Sequence, residues 1–234
     1  MHDEVQRNDE RETDERITVD ERGDAHFSGS TETPLRADAF ALDDALKIEL
    51  IEKHFRDIML ILGLDLDDDS LRDTPHRVAK MYVKEIFSGL NPANKPSISL
   101  FENTYHYGRM VVERDISFHS NCEHHFVPFH GKAHVAYIPK DKVVGLSKLN
   151  RIVRYFARRP QVQERLTIQI ANELKQALGI EDVAVMIDAE HMCVSTRGVQ
   201  DQSSSTVTAE YGGRFNDAAL RNEFLRYIQA PTER

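Results

Sequence analysis

The residues best suited to chemistry stand together at Cys122-Glu123-His124-His125. A C-x-x-H spacing lets a thiolate and an imidazole converge from a single turn, so one short segment can give two ligands to a tetrahedral ion. The only other cysteine is Cys193, in His191-Met192-Cys193. Three donors of Cys, His, Cys type leave a fourth position for water, which is the pattern of a catalytic zinc site. If the Cys193 segment is a strand, side chains at i and i+2 share a face, and His191 projects beside the same ion as a candidate acid or base. Either cysteine alone would read as a buried free thiol. Two cysteines form no disulfide framework, and in a reducing compartment they point to metal or redox chemistry.

A second group is cationic. In Ser147-Lys148-Leu149-Asn150-Arg151, Lys148 and Arg151 fall three apart in the first turn of an expected helix. Backbone N–H groups and the helix dipole already favour an anion there, so added cations are locally unfavourable unless something negative binds, and phosphate is the natural guest. Arg77 and Lys80, again three apart, and Arg197 extend this suggestion only if the fold gathers them. Gln163-Glu164 opens a long helix off its apolar stripe, where an acid complements the dipole. His76, His119, His130 and His134 have no spacing that recommends them, and they are expected to be structural or solvent-exposed.

The elements that must hold these groups are legible as periodicity. Apolar residues from Leu42 to Leu62 recur at helical spacing and stop before Gly63. Asp73-Thr74-Pro75 offers an N-cap and a first-turn proline for a second helix ending at Gly89, and the two should form a helical hairpin. Residues 97–116 are less regular, with Met110-Val111-Val112 hinting at a strand broken by charges. Gly131 to Pro139 has strand composition. Ser147 can cap the next helix, Pro160 can start another, and Val162, Leu166, Ile170, Leu174 and Leu178 make a stripe closed by Gly179. Val183 to Val194 and Ser204 to Tyr211 read as strands, and Asn216 to Ile228 as a closing helix. Strands interleaved with helices after a helical start make an α+β protein.

Composition narrows the function. The chain has 234 residues, 40% of them hydrophobic, with a net charge of −9. That length can bury a sizeable core, and the negative balance argues against a nucleic-acid binder working through a basic surface. No run approaches the roughly 18 apolar residues of a membrane span, and the N-terminus lacks an apolar signal region, so a cytoplasmic protein is expected. Residues 1–33 hold eleven acids against four arginines, a net of −7. So many repelling charges with so few large apolar groups cannot offset the entropy of ordering, and a disordered acidic tail is expected.

Two segments, CEHHFVPFHGKAHVAYIPKDKVVGLSKLNRIVRYFARRPQVQERLTIQI and AEHMCVSTRGVQDQSSSTVTAEYGG, together resemble the zinc-dependent GTP cyclohydrolase I family. The resemblance spans roughly Leu46 to Ile228 and implies Zn2+ on Cys122, His125 and Cys193, with His124 and His191 handling protons around the purine. It places Gln163 and Glu164 at the guanine end of GTP, and Ser147, Lys148, Arg151, Arg197, Arg77 and Lys80 at ribose or triphosphate. No departure occurs at any of these positions. It also implies the tunnelling fold, an antiparallel sheet with packed helices behind an N-terminal helical hairpin. On that basis the organisation is a disordered tail over 1–38, the hairpin over 39–96 and the catalytic domain over 97–234.

The resemblance further implies a toroidal homo-oligomer, a decamer, with substrate sites at subunit interfaces. The implied reaction opens the imidazole ring of GTP at C8, releases that carbon as formate and closes 7,8-dihydroneopterin triphosphate, the first step of pterin and folate biosynthesis. Two other readings compete. A structural zinc module would need His124 or His191 as fourth ligand, since no third cysteine exists. A tunnelling-fold relative reducing a nitrile through a nucleophilic cysteine would use no zinc, and two cysteines placed as ligands beside histidines speak against it.

Overall fold

The computed structural model describes residues 30–230. The acidic segment read as a disordered tail lies, over 1–29, outside the described residues. From Ser30 onward the chain is held: the Ser30 carbonyl accepts from Arg165 Nε at 3.0 Å and the Thr31 carbonyl from Gln169 Nε2 at 3.1 Å.

Helix α1 (Asp44–Ile61) begins where Asp43 accepts the Leu46 N–H on its side chain, an N-cap that satisfies one orphan donor. Helix α2 (Thr74–Met81) follows, packs on α1, and passes into a π-helical turn at Tyr82–Ile86. Proline stands in its first turn as expected, but Asp73 makes no side-chain cap and instead pairs with Arg77 at 3.7 Å. Neither helix is confined to a clean stripe; Ile61 and Leu62 at the end of α1 stay exposed.

The rest of the chain is built on a five-stranded sheet in the order β5-β2-β3-β6-β7. Its long members are β2 (Val111–Cys122), β3 (Pro128–Tyr137) and β6 (Val183–His191), with β7 (Thr206–Tyr211) at one edge and the short β5 (Pro160–Gln161) at the other. All pairs are antiparallel except β2 with β5. A small second sheet pairs β1 (Leu100–Glu102) with β4 (Lys142–Val144).

The charges at Glu113-Arg114-Asp115 do not break β2. The strand runs through them with a register shift between Glu113 and Ile116, and Asp115 sits at φ +60°, a bulge that absorbs one residue without ending the ladder. Helices α3 (Leu146–Ala157) and α4 (Gln163–Leu178) cover one sheet face. There Ile116, Phe118, Val135, Tyr137, Val185 and Ile187 meet Leu149, Val153, Leu166 and Ile170 in the main core. Gly179 closes α4 at φ +66°, the left-handed cap the sequence suggested.

On the opposite face, α6 (Ala218–Gln229) covers only one end, burying Phe215 and Phe224 against Met110, Ala136 and Ala184. The rest of that face carries Ser117, His119, His130, Lys132, Asp188 and Glu190 around an open cleft of about 510 Å³. This α+β arrangement behind a helical hairpin is the tunnelling fold. Among the described residues no helix is long and apolar enough to cross a membrane.

Three local expectations are corrected. Ser147 does not cap α3: Gly145 occupies the N-cap and the helix starts at Leu146. Pro160 does not start a helix, because pairing with Asn121 draws it into β5 and α4 begins at Gln163. The strand read as far as Val194 ends at His191, and Met192–Ser195 forms a short helical turn, α5.

Candidate metal centre

The loop joining β2 to β3 is a tight turn. Phe126 N–H donates to the Cys122 carbonyl at 2.9 Å, Cys122 N–H donates to the Val127 carbonyl at 2.9 Å, and Phe126 takes φ +55° to close it. Beneath, the buried guanidinium of Arg165, 4% exposed, binds both carboxylate oxygens of Glu123, and Glu123 N–H donates to Gln161 O at 3.0 Å. The C-x-x-H segment is therefore bolted to α4 and β5. Opposite it, α5 turns Cys193 back over β3. Cys193 thus reaches the cluster through a helical turn, so the i and i+2 strand alternation expected to carry His191 beside it does not apply.

The donor atoms of Cys122, His125 and Cys193 all lie within 4.8 Å of one another, and among the described residues they are the only set of three or more His, Cys, Asp or Glu donors that converge this way. Cys122 Sγ is 4.0 Å from His125 Nδ1. A tetrahedral zinc with bonds of about 2.3 Å to sulfur and 2.0–2.1 Å to nitrogen needs about 3.6 Å between those atoms, so this pair is a few tenths of an ångström wide, and the three donors, all within 4.8 Å, must draw together to close on an ion. Burial, with the neighbouring Cys122, pushes the Cys193 thiol up. Placed in this way, the Cys193 thiol holds its proton until a cation makes the thiolate favourable. The donor set fits a zinc ion.

Around it, His191 is fixed on two sides. Its ring stacks on Phe129, its cross-strand partner, with centroids 4.6 Å apart and planes 3° from parallel. Its Nε2 lies 2.7 Å from Gln163 Oε1. The Gln163 amide nitrogen shares its two protons among Thr206 O at 2.8 Å, Ile187 O at 3.1 Å and Thr208 Oγ1 at 3.2 Å. Carbonyl oxygens only accept, so the amide cannot be reversed, and its oxygen must receive a proton from His191 Nε2. The neutral ring therefore keeps Nδ1 as its free base. Burial lowers the His191 pKa, with Glu164 pulling the other way, which favours the neutral ring.

The remaining sequence-predicted residues fall in three places. His124 joins the metal cluster, its Nδ1 3.5 Å from Cys122 Sγ, and Arg197 reaches His125, donating from Nη1 to Nε2 at 2.8 Å. On α4, Glu164 is exposed, whereas Gln163 is 2% exposed with both amide atoms bonded within the protein. On α3, Ser147, Lys148 and Arg151 sit in the first two turns, and Arg151 lines a cleft of about 500 Å³ with Lys84, Arg154 and Arg158. Arg77 and Lys80 are exposed on α2, which packs on α1 within this chain.

Sequence reasoning passed over Arg165, Phe129 and the pair Arg154 and Arg158. Arg165 carried a usable signal, a cation one residue before the buried Leu166 of an apolar stripe. Phe129 carried none, because its role is set by register across the sheet.

A tunnelling-fold chain with a three-donor metal centre beside an oriented imidazole belongs to a class of metal-dependent enzymes. The GTP cyclohydrolase I family model matches residues 51–229, and the chain belongs to that family. It is similar to GTP cyclohydrolase 1 of Flavobacterium johnsoniae, 58% identical over 215 residues, 92% of this chain and 96% of the relative. It is likewise similar to the proteins of that name from Salmonella arizonae and Salmonella newport, each 55% identical over 207 residues, 88% of this chain and 93% of the relative.

Proposed function

We propose that this chain hydrolyses GTP to formate and 7,8-dihydroneopterin triphosphate, with zinc held by Cys122, His125 and Cys193. The observation that carries the reading is the convergence of those three donors beside an imidazole whose free nitrogen is fixed. When bound, zinc in such an open site supplies Lewis acidity that activates water for attack at an electrophilic carbon.

The chain's own residues do the rest. His191, neutral and with Nδ1 free, accepts and returns a proton as the purine ring opens, and His124, its Nδ1 3.5 Å from Cys122 Sγ, provides a second proton carrier. Glu164 offers two acceptors to the N1–H and amino group of guanine, a pairing adenine cannot make. Gln163 at its side holds His191 toward the base. Lys148, Arg151 and Arg197 attract the triphosphate to a chain that is otherwise net negative, with Ser147 as a neutral donor.

Arg77 and Lys80 complete the anion site from a neighbouring copy in a toroidal homo-oligomer, a decamer, since α2 within one chain is occupied with α1. The acidic N-terminal segment, the hairpin and the catalytic domain divide as 1–38, 39–96 and 97–234, and the protein works in the cytoplasm.

The test is zinc content together with formate release from GTP. Wild type should bind zinc and release formate, and Cys193→Ala should lose both while remaining folded by circular dichroism. A folded Cys193→Ala with full turnover would sink the assignment, as would unfolding in step with metal loss.

A further inference from the structure

We propose a second metal site, in which His119, His130 and Glu190 bind a divalent transition-metal ion of the zinc, nickel or copper type on the sheet face away from α3 and α4. His119 and His130 are register partners across β2 and β3, and His130 and Glu190 are register partners across β3 and β6. Three metal-binding side chains thus stand in one row across three strands. Directly opposed residues hold their Cβ atoms about 4.5–5.5 Å apart, within reach of one shared ion.

The two rings stand side by side at a spacing one ion can bridge, although rotamer changes are needed to turn their nitrogens and Glu190 onto it. Their centroids lie 5.6 Å apart with planes at 44°. Two imidazoles on one tetrahedral ion, each at about 2.0–2.1 Å, place their centroids roughly 5.2 Å apart. The carboxylate of Glu190 must swing inward to complete the set, and it lines the same open cleft. Two imidazoles and a carboxylate are donors suited to zinc, copper and nickel.

The surroundings favour a cation. On the same face, Asp188 adds a second carboxylate beside Glu190, and both are exposed. The one lysine there, Lys132, donates from Nζ to Ser117 Oγ at 2.7 Å, turned toward β2 and away from Glu190. An anion in this cleft would meet two carboxylates. Ser203, Ser204 and Ser205 line it as well and offer hydroxyl oxygens or room for water as further ligands.

Strand alternation separates this site from the one already described. His119 faces away from Cys122, and Glu190 away from His191, since residues an odd number apart point to opposite faces. The second ion therefore lies across the sheet from the catalytic centre, bracing β2, β3 and β6, and the proposal does not rest on the activity assigned to Cys122, His125 and Cys193.

The experiment is equilibrium dialysis of the full-length chain against Zn2+, with bound metal counted by atomic absorption and formate release measured on the same samples. Wild type should hold two zinc ions per chain, Cys193→Ala one, His130→Ala one, and the double variant none. His130→Ala should keep formate release, and added zinc should raise the melting temperature of Cys193→Ala but not of the double variant. His119→Ala and Glu190→Gln, which leave the middle strand untouched, should each weaken the second site at least tenfold. A single zinc at saturation in wild type, or a second ion retained undiminished through His119→Ala, His130→Ala and Glu190→Gln, overturns the proposal. Loss of formate release with the His130 ion intact would instead be a failure of the catalytic reading alone.

Discussion

Replacing Gln163 with leucine separates its contact with His191 from the guanine contact that the family resemblance implies. Its side chain has four hydrogen-bonding partners, His191, Thr206, Ile187 and Thr208, but the amide nitrogen has two protons to share among the last three, so they amount to three bonds. At about 1 kcal/mol net for each buried bond, roughly 3 kcal/mol is at stake. Thr208 Oγ1 keeps Thr167 Oγ1 at 2.7 Å, so it is not left without a partner. Leucine is apolar and close in volume, and its burial returns roughly 1 kcal/mol. The net loss is about 2 kcal/mol, readable as a lower urea midpoint.

Catalysis should suffer in a particular way. Phe129 still stacks on His191, but nothing then fixes which ring nitrogen carries the proton, and turnover should fall on the order of 10- to 100-fold with KM for GTP nearly unchanged. The assay is formate release over a range of GTP, beside urea melts and zinc counts on the same protein. A variant that melts like wild type, keeps kcat and shows only a raised KM would refute this reasoning. Gln163 would then be a direct contact for the base.

Other consequences can be measured with equal economy. His134 is buried and its pKa is lowered by burial, against the pull of Asp115 and Asp188, while Asp115 N–H donates to its Nδ1 at 3.3 Å. As pH falls below 6.5 the unfolded chain binds the proton first, so stability should decline through that window and level off below the folded pKa; His134→Gln should flatten the decline in urea midpoints between about pH 7.5 and about pH 5.5. Glu164→Gln should cost on the order of 1.5–3 kcal/mol in GTP binding and reduce the GTP-to-ATP affinity ratio at least about tenfold with zinc retained. An unchanged ratio would leave Glu164 as an acid complementing the helix dipole.

What could be read from the chain followed the range of the forces involved. Gly179 was legible as a helix end because a left-handed cap is a local demand, and the α4 stripe because helical period is local too. The C-x-x-H pair was legible because its spacing carries the geometry. Pro160 misled, since its pairing with Asn121 joins segments far apart in sequence, and local signals gave no hint of it. His191 was expected beside Cys193 through strand alternation, but the strand ends at His191 and Cys193 follows in a helical turn. His119 and His130 looked unremarkable along the chain because only the β2–β3 register sets them side by side.

The contact between Arg197 and His125 has a thermodynamic corollary. A guanidinium carries donors alone, so the 2.8 Å bond requires a lone pair on His125 Nε2. An ion on Nε2 would take that lone pair, and an ion on Nδ1 would leave the proton on Nε2; in either case Arg197 must let go. Cation loading and release of a positive side chain are thus one event, and a polyphosphate that captures Arg197 removes a competitor for the imidazole. Linkage is reciprocal, so each guest tightens the other by the same factor. With a metal ion on His125 and a polyphosphate on Arg197, this contact would make both ions together preferred over either one alone.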